Sequence, residues 1–210
     1  MTDAGQPGEQ DTSDPAATRS SASDAGRRSP ERSAKRRRRR RWIGIVALVL
    51  VLLFAAITAR VFVWPSLPAL PQHADAIVEL AGPGDAGRDA LALKLAREHR
   101  ADYLVQSTTV GDVHCLPPPT GVHLLCFHPD PGTTRGEAQW IGREAKARNW
   151  TSVILVTTPD QAYRAKLRVD RCFPGKVYVA TSTLPWKRWF TQIPYQWGAT
   201  VKALTVQRSC

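Results

Sequence analysis

Three short segments of the chain gather residue types that hold anions. The first, Ala81-Gly82-Pro83-Gly84-Asp85-Ala86-Gly87-Arg88, sets Gly82 and Gly84 ahead of Arg88. Glycines allow a tight turn and close backbone approach, and a helix opening there points its free N–H groups at a ligand. Pro83 removes one donor and the spacing is not G-x-G-x-x-G, so an ordinary turn accounts for the same residues. The second, Pro129-Asp130-Pro131-Gly132-Thr133-Thr134-Arg135-Gly136-Glu137, brings two hydroxyls, a cation and a carboxylate together. A capping box would also use Thr133 or Thr134 with Glu137. The third, Thr157-Thr158-Pro159-Asp160-Gln161, has Arg164 one turn further on, and helix capping again explains the hydroxyls. If the segments act together, Arg88, Arg135 and Arg164 pair with anionic oxygens. Thr134, Thr157 and Thr158 add hydrogen bonds, and Glu137 is the carboxylate placed to act as a base.

Each segment trails an apolar run, and those runs say what must position them. Ala76–Leu80, Tyr103–Val105, Val122–Phe127, Ser152–Thr157 and Lys176–Ala180 read as strands. Between them, Arg88–Arg100, Arg135–Asn149 and Ala162–Cys172 carry apolar residues at helical spacing, as in Leu91 with Leu95 and Ala138 with Ile141 and Ala145. Strands alternating with helices predict an α/β, Rossmann-like three-layer domain with a mostly parallel sheet over residues 74–210. Ligands of such sheets sit beyond the carboxyl ends of the strands, so Gly82, Arg88, Thr134, Glu137, Thr157 and Arg164 are expected to converge on one cleft.

The chain has 210 residues and a formal net charge of +11, which is unevenly placed. Residues 1–41 contain no Val, Ile, Leu, Phe, Tyr or Trp, so nothing there offsets the entropy of ordering; a disordered basic tail is expected. It closes on an unbroken run of cations, Lys35 to Arg41. A basic run of that kind can bind nucleic acid, but here it abuts an apolar segment, and no nucleic-acid partner is expected. No charge interrupts Trp42 to Ala59, and Val61 to Trp64 extend the run past Arg60. A spanning helix needs about 20 apolar residues, with arginine near an end snorkelling and tryptophans at the edges. Residues 42–64 are therefore read as one transmembrane helix and residues 65–73 as a proline-rich spacer. A cleaved leader would need an unusually long polar stretch before its apolar core. Cations before the span place the N-terminus in the cytoplasm and the 74–210 domain outside.

All four cysteines, Cys115, Cys126, Cys172 and Cys210, follow the span, as disulfides in an oxidising compartment would. Sequence permits three pairings, and loop economy favours Cys115–Cys126 with Cys172–Cys210. Zinc sites use short paired spacings such as C-x-x-C, and none occurs. His114, His123 and His128 lie near Cys115 and Cys126, but no metal and no cofactor is expected.

The three segments, in this order and behind one membrane anchor, resemble the envelope-protein family typified by YdcF, SanA and ElyC, a domain of unknown function linked to the bacterial cell envelope. The resemblance runs from about Ala74 to Leu204. Gly82, Gly84 and Arg88 match the family's glycine turn and following arginine in kind. Thr134 and Glu137 correspond to its Thr-and-acid pattern, with the acid one residue later than is common. Val156-Thr157-Thr158 and Arg164-Ala165 match its V-T-S strand end and Arg-Ala. Gln161 stands at the family's histidine position, and Ala81-Gly82-Pro83 replaces a triple glycine; Gln is not a general acid or base near neutral pH. The resemblance implies a Rossmann-like domain, a role in envelope integrity or wall-precursor metabolism, and a small anionic or nucleotide-like ligand. Two other readings fit the residues: a hydrolase or transferase using Glu137 as base, for which no nucleophile elbow or metal cluster is evident, and a structural partner-binding module presenting Trp186, Trp189 and Trp197.

A reporter active only outside the cytoplasm, fused after Cys210, is expected to be active, and one active only inside is expected to be silent. The opposite pattern would remove the orientation derived from Lys35 to Arg41.

Overall fold

The computed structural model describes residues 30–82, 85–109 and 115–210. The chain parts into two units after Leu50. Helix α1 runs from Pro30 to Thr58 and closes in a π-helical turn over Ala59–Val63. It is long and apolar enough to cross a membrane, from Lys35 to Val63. Residues 30–41 thus belong to the helix, where unstructured tail was expected. Arginine and lysine are strong helix formers once the apolar segment supplies the helix nucleus, and proline suits a first turn. Residues 1–29 of the expected tail lie outside the described residues.

The rest alternates as expected: β1 (Ala74–Glu79), α2 (Asp85–Arg97), β2 (Ala101–Ser107), β3 (His123–Phe127), α3 (Thr134–Arg148), β4 (Ser152–Thr157), α4 (Pro159–Cys172), β5 (Lys176–Thr181) and α5 (Trp186–Thr205). The five strands form one sheet in the order β3-β2-β1-β4-β5, every pair parallel. β1 lies at the centre, which is why Ala76, Ile77 and Val78 are all fully buried. Alternate residues serve opposite layers. Val153 and Leu155 face the cluster formed with Ala138, Ile141, Ala165 and Val169 of α3 and α4. Ile154 and Val156 join Ala92, Leu95 and Ala96 of α2. Three layers result, α2 on one face and α3 with α4 on the other. Where α3 and α4 cross, a Cβ on Gly142 would collide with the Cys172 carbonyl oxygen, so only glycine permits that approach.

Asp75 ties the amino-terminal edge. Its Oδ2 accepts from the Thr151 and Ser152 amides at 2.7 and 2.8 Å and from both hydroxyls at 3.1 and 3.2 Å, linking β1 to β4. Burial alone would raise its pKa, but these bonds together hold it below the usual value.

Two elements differ from the sequence reading. α5 was not anticipated: Pro194 inside it, with tryptophan, phenylalanine and threonine around it, breaks the helical signal. Nor do residues 65–73 form a free spacer. Phe62 just before them is fully buried, and Leu67 and Leu70 pack on the two core clusters, because an irregular proline-rich segment that carries leucines can still bury them.

The cysteines pair as Cys115–Cys126 and Cys172–Cys210, and the second pair fastens the C-terminal segment to the end of α4. Non-reducing mass mapping should find no free thiol. Cys172→Ser with Cys210→Ser should lower unfolding stability by about 4 kcal/mol, the chain-entropy figure for a loop of that size; an unchanged denaturation midpoint would show that the bond constrains nothing.

Candidate functional site

The chain adds β2 and β3 on one side of β1, then returns to add β4 on the other side. The switch point of this sheet therefore lies between β1 and β4, where ligands of open α/β sheets bind. A cavity of about 370 Å³ opens at that edge. Ala81 and Gly82 after β1, Thr108 and Thr109 after β2, and His128 and Pro129 after β3 form one side. Thr134 and Glu137 of α3, Gln161 and Arg164 of α4, and Gln192 and Tyr195 of α5 form the other.

Arg164 organises this second side. It is buried, and its Nε donates to Gln196 Oε1 of α5 at 3.0 Å while Nη1 donates to Thr134 Oγ1 at 2.8 Å. Gln196 in turn donates to Asp160 Oδ2 at 2.9 Å. Burial pulls the arginine's pKa down, against the pull of Tyr195, Glu137 and Asp160, yet a guanidinium stays charged in proteins. Glu137 is also buried. Its Oε1 accepts the Ala81 amide at 2.8 Å, and burial raises its pKa, opposed by Ser107, that amide, Arg164 and Arg88.

Gly82 has φ +145°, and a Cβ there would meet Arg88 Nη1 at 3.1 Å and Gln161 Nε2 at 3.2 Å. The conformation favours glycine, and the Arg88 and Gln161 side chains would have to shift by a few tenths of an ångström to admit a Cβ. Arg88 is fully buried and donates to the Gly82 carbonyl, holding the turn rather than lining the cavity. Thr157 is fully buried and donates to Gln161 Oε1 at 3.5 Å. Thr158 starts α4 through its carbonyl, which accepts from Gln161 and Ala162, without a side-chain cap. Gly84 lies outside the described residues.

Arg135 does not join the cleft. Its Nη2 donates to the Cys210 carbonyl at 2.9 Å and the Ser209 hydroxyl at 3.2 Å. One residue along a helix turns about 100°, so Arg135 cannot share the face on which Thr134 and Glu137 stand three apart. Of the three arginines expected together, one lines the cleft, one supports it and one holds the C-terminal segment.

His128, directly after β3, and Thr108, directly after β2, also stand at strand ends and line the cleft, although neither was singled out in the sequence. His128 Nδ1 sits 3.1 Å from the Thr108 carbonyl, which can only accept, so Nδ1 is the donor in this contact. No local signal pointed to Gln192, Tyr195 or Gln196, since α5 itself was missed. A second polar cluster adjoins the cleft. Glu79 Oε2 accepts from Gln106 Nε2 at 2.7 Å, and Gln106 Oε1 accepts the Leu116 amide at 2.7 Å. Burial first, then the hydrogen bond and charge of Asp89, push Glu79 up to about 8. Among the described residues no cluster of His, Cys, Asp and Glu could hold a metal.

Comparison with known proteins adds little. No family model matches this chain, and no curated protein matches its sequence. A crystal structure of pantothenate synthetase from Thermus thermophilus aligns at 17% identity and TM-score 0.33, over 56% of this chain and 59% of that one. A second, described as pantoate-beta-alanine (pantothenate synthetase) from the same organism, aligns at 16% and 0.33, over 63% and 67%. The chain covers less than two thirds of the first protein's length, and neither likeness carries an argument about this chain.

Glu79 and Glu137 fix the sign of the pH response. Each has a folded-state pKa above its ordinary value, so the stability it contributes is fully present below the unfolded value and is lost as pH rises through the folded one. For Glu79 that window runs from 4.5 to about 8. Unfolding stability should fall across it, by up to about 1.4 kcal/mol per pH unit for each group. Glu79→Gln should flatten the slope without abolishing it, because Glu137 remains. Denaturant midpoints at pH 5 and pH 8 that differ equally in wild type and variant would contradict this.

Proposed function

We infer that this is a single-pass, membrane-anchored protein of the cell envelope, resembling the YdcF, SanA and ElyC family, whose domain lies outside the cytoplasm. Its cleft takes a small anionic or phosphorylated ligand, of the kind met in wall-precursor metabolism. The observation that carries the reading is the buried Arg164 on the cleft wall, bonded to Thr134 and Gln196. A guanidinium held in place by Thr134 and Gln196 is already oriented for an anionic ligand and loses little entropy on binding. The starts of α3 and α4 meet at the same cavity, and helix N-termini favour anions. Arg88 beside Gly82 adds a second cation behind the turn. The charged run before the apolar helix and the paired cysteines support export.

A second reading, a hydrolase or transferase, gains from one observation. Glu137 and His128 line one cavity, and Glu137's raised pKa brings a carboxyl toward the range useful for general acid–base work. His128 would supply the base that Gln161 does not.

The full-length protein, purified without added ligand, should release a co-purified anionic compound on denaturation, identified by mass spectrometry. Arg164→Lys keeps the charge but not the fork, and should weaken binding of that compound about tenfold, roughly 1.4 kcal/mol, measured at a temperature where circular dichroism shows the variant folded. Unchanged affinity would sink the anion-site reading. Glu137→Gln should leave binding intact under that reading and abolish turnover under the second.

A further inference from the structure

α5 presents three distinct faces. Gln196, Thr200 and Ala203 are buried against the domain. A second line, Trp186, Phe190, Pro194, Trp197, Val201 and Leu204, advances in steps of three and four and so forms one stripe. Most of it is bare: Trp186 is 67% exposed and Phe190 75%, with Val201 and Leu204 also exposed. The third face carries Lys187, Arg188 and Lys202, all exposed, and no Asp or Glu follows Asp170 in the chain.

The middle of the stripe is anchored. The Trp197 indole stacks on Phe54 and meets Phe62 edge-on, both at 5.3 Å between ring centres, and its Nε1 donates to Thr58 Oγ1 at 3.1 Å. Phe54 and Thr58 belong to the apolar part of α1. At 1.5 Å per residue, Phe54 lies about 6 Å along the helix from Thr58, so Trp197 touches α1 within its apolar segment, not on the chain that follows it. Phe62 is fully buried, which leaves no slack between the end of α1 and the domain. Trp197 thus joins the stripe of α5 to the apolar segment of α1 at Phe54.

We propose that α5 is an in-plane interfacial helix, lying in the headgroup region of the bilayer that α1 crosses. Trp186, Phe190, Val201 and Leu204 enter the apolar boundary, and Lys187, Arg188 and Lys202 meet anionic lipid phosphates. A basic polar face beside an aromatic and aliphatic one is the composition that binds such surfaces, and tryptophan favours that depth. Left in water, the stripe would be an apolar patch of the kind that marks an interaction surface. Gln192 and Tyr195 of the same helix line the cleft, so this placement sets one wall of the cleft at the membrane surface. The proposal rests on reading α1 as the membrane span.

The test uses the full chain in phosphatidylcholine–phosphatidylglycerol vesicles. The four native cysteines are bonded, so a thiol introduced by Phe190→Cys, Val201→Cys, Lys202→Cys or Leu50→Cys takes an environment-sensitive fluorophore alone. Lipid-borne nitroxides should quench the label at positions 190 and 201 several-fold more than at 202, and aqueous iodide should show the reverse order. Iodide quenching at 190 and 201 equal to that at 202, with position 50 quenched by deep nitroxides, would overturn the proposal while leaving the span intact. Shielding of 190 and 201 from both quenchers would assign the stripe to a protein partner or a second copy, and also overturn it. An unquenched label at position 50 would remove the span, and the proposal with it.

Discussion

A guanidinium buried at Arg164 must find hydrogen-bond acceptors inside the protein, because removing the charge from water costs far more than a surface ion pair returns. Thr134 and Gln196 supply them, and Gln196 is held in turn by Asp160. That single requirement fixes the start of α3, the first turns of α4 and the middle of α5 relative to one another. The cavity wall, the path of the last helix and the contact of Trp197 with the end of α1 all follow from it. Removing one member leaves a buried charge or amide unpaired, so the network is a constraint on sequence more than a source of net stability.

The two edges of the sheet divide the labour. At the amino-terminal edge Asp75 is saturated by four donors from Thr151 and Ser152, and the strands begin in register. At the carboxyl edge the buried groups are costly ones: Glu79, Glu137, Arg88 and Arg164. The shifted proton affinities of Glu79, Glu137 and Arg164 record free energy that the apolar layers above and below must offset. Local rules broken at one edge and obeyed elsewhere are what a binding site looks like in an otherwise consistent fold.

α5 links the cleft to the apolar helix α1. Its buried face completes the Arg164 network, its next residues line the cavity, and its apolar stripe reaches Phe54 and Thr58 of α1. Phe62, Leu67 and Leu70 are packed into the domain directly after α1, so the chain there is not a free linker. The cleft therefore has a defined relation to the end of α1.

The sequence by itself determined the parallel α/β sheet, because β-branched runs alternating with amphipathic helices admit few other packings. It determined the apolar helix, whose composition needs no tertiary partner to be read, and the strand ends from which Gly82, Thr134, Glu137 and Arg164 reach one cavity. The three-dimensional arrangement decided what depends on direction and on distant neighbours. Helical phase sent Arg135 to the C-terminal segment and left Thr134 and Glu137 facing the cleft. Packing drew Arg88 under the Gly82 turn, where it acts on backbone. α5 escaped the sequence because Pro194 and its aromatics oppose a helix locally, and only contacts with Asp160, Arg164 and Thr58, far away in the chain, make that helix worth forming. Local preference is legible residue by residue; a helix stabilised by partners distant in sequence is not.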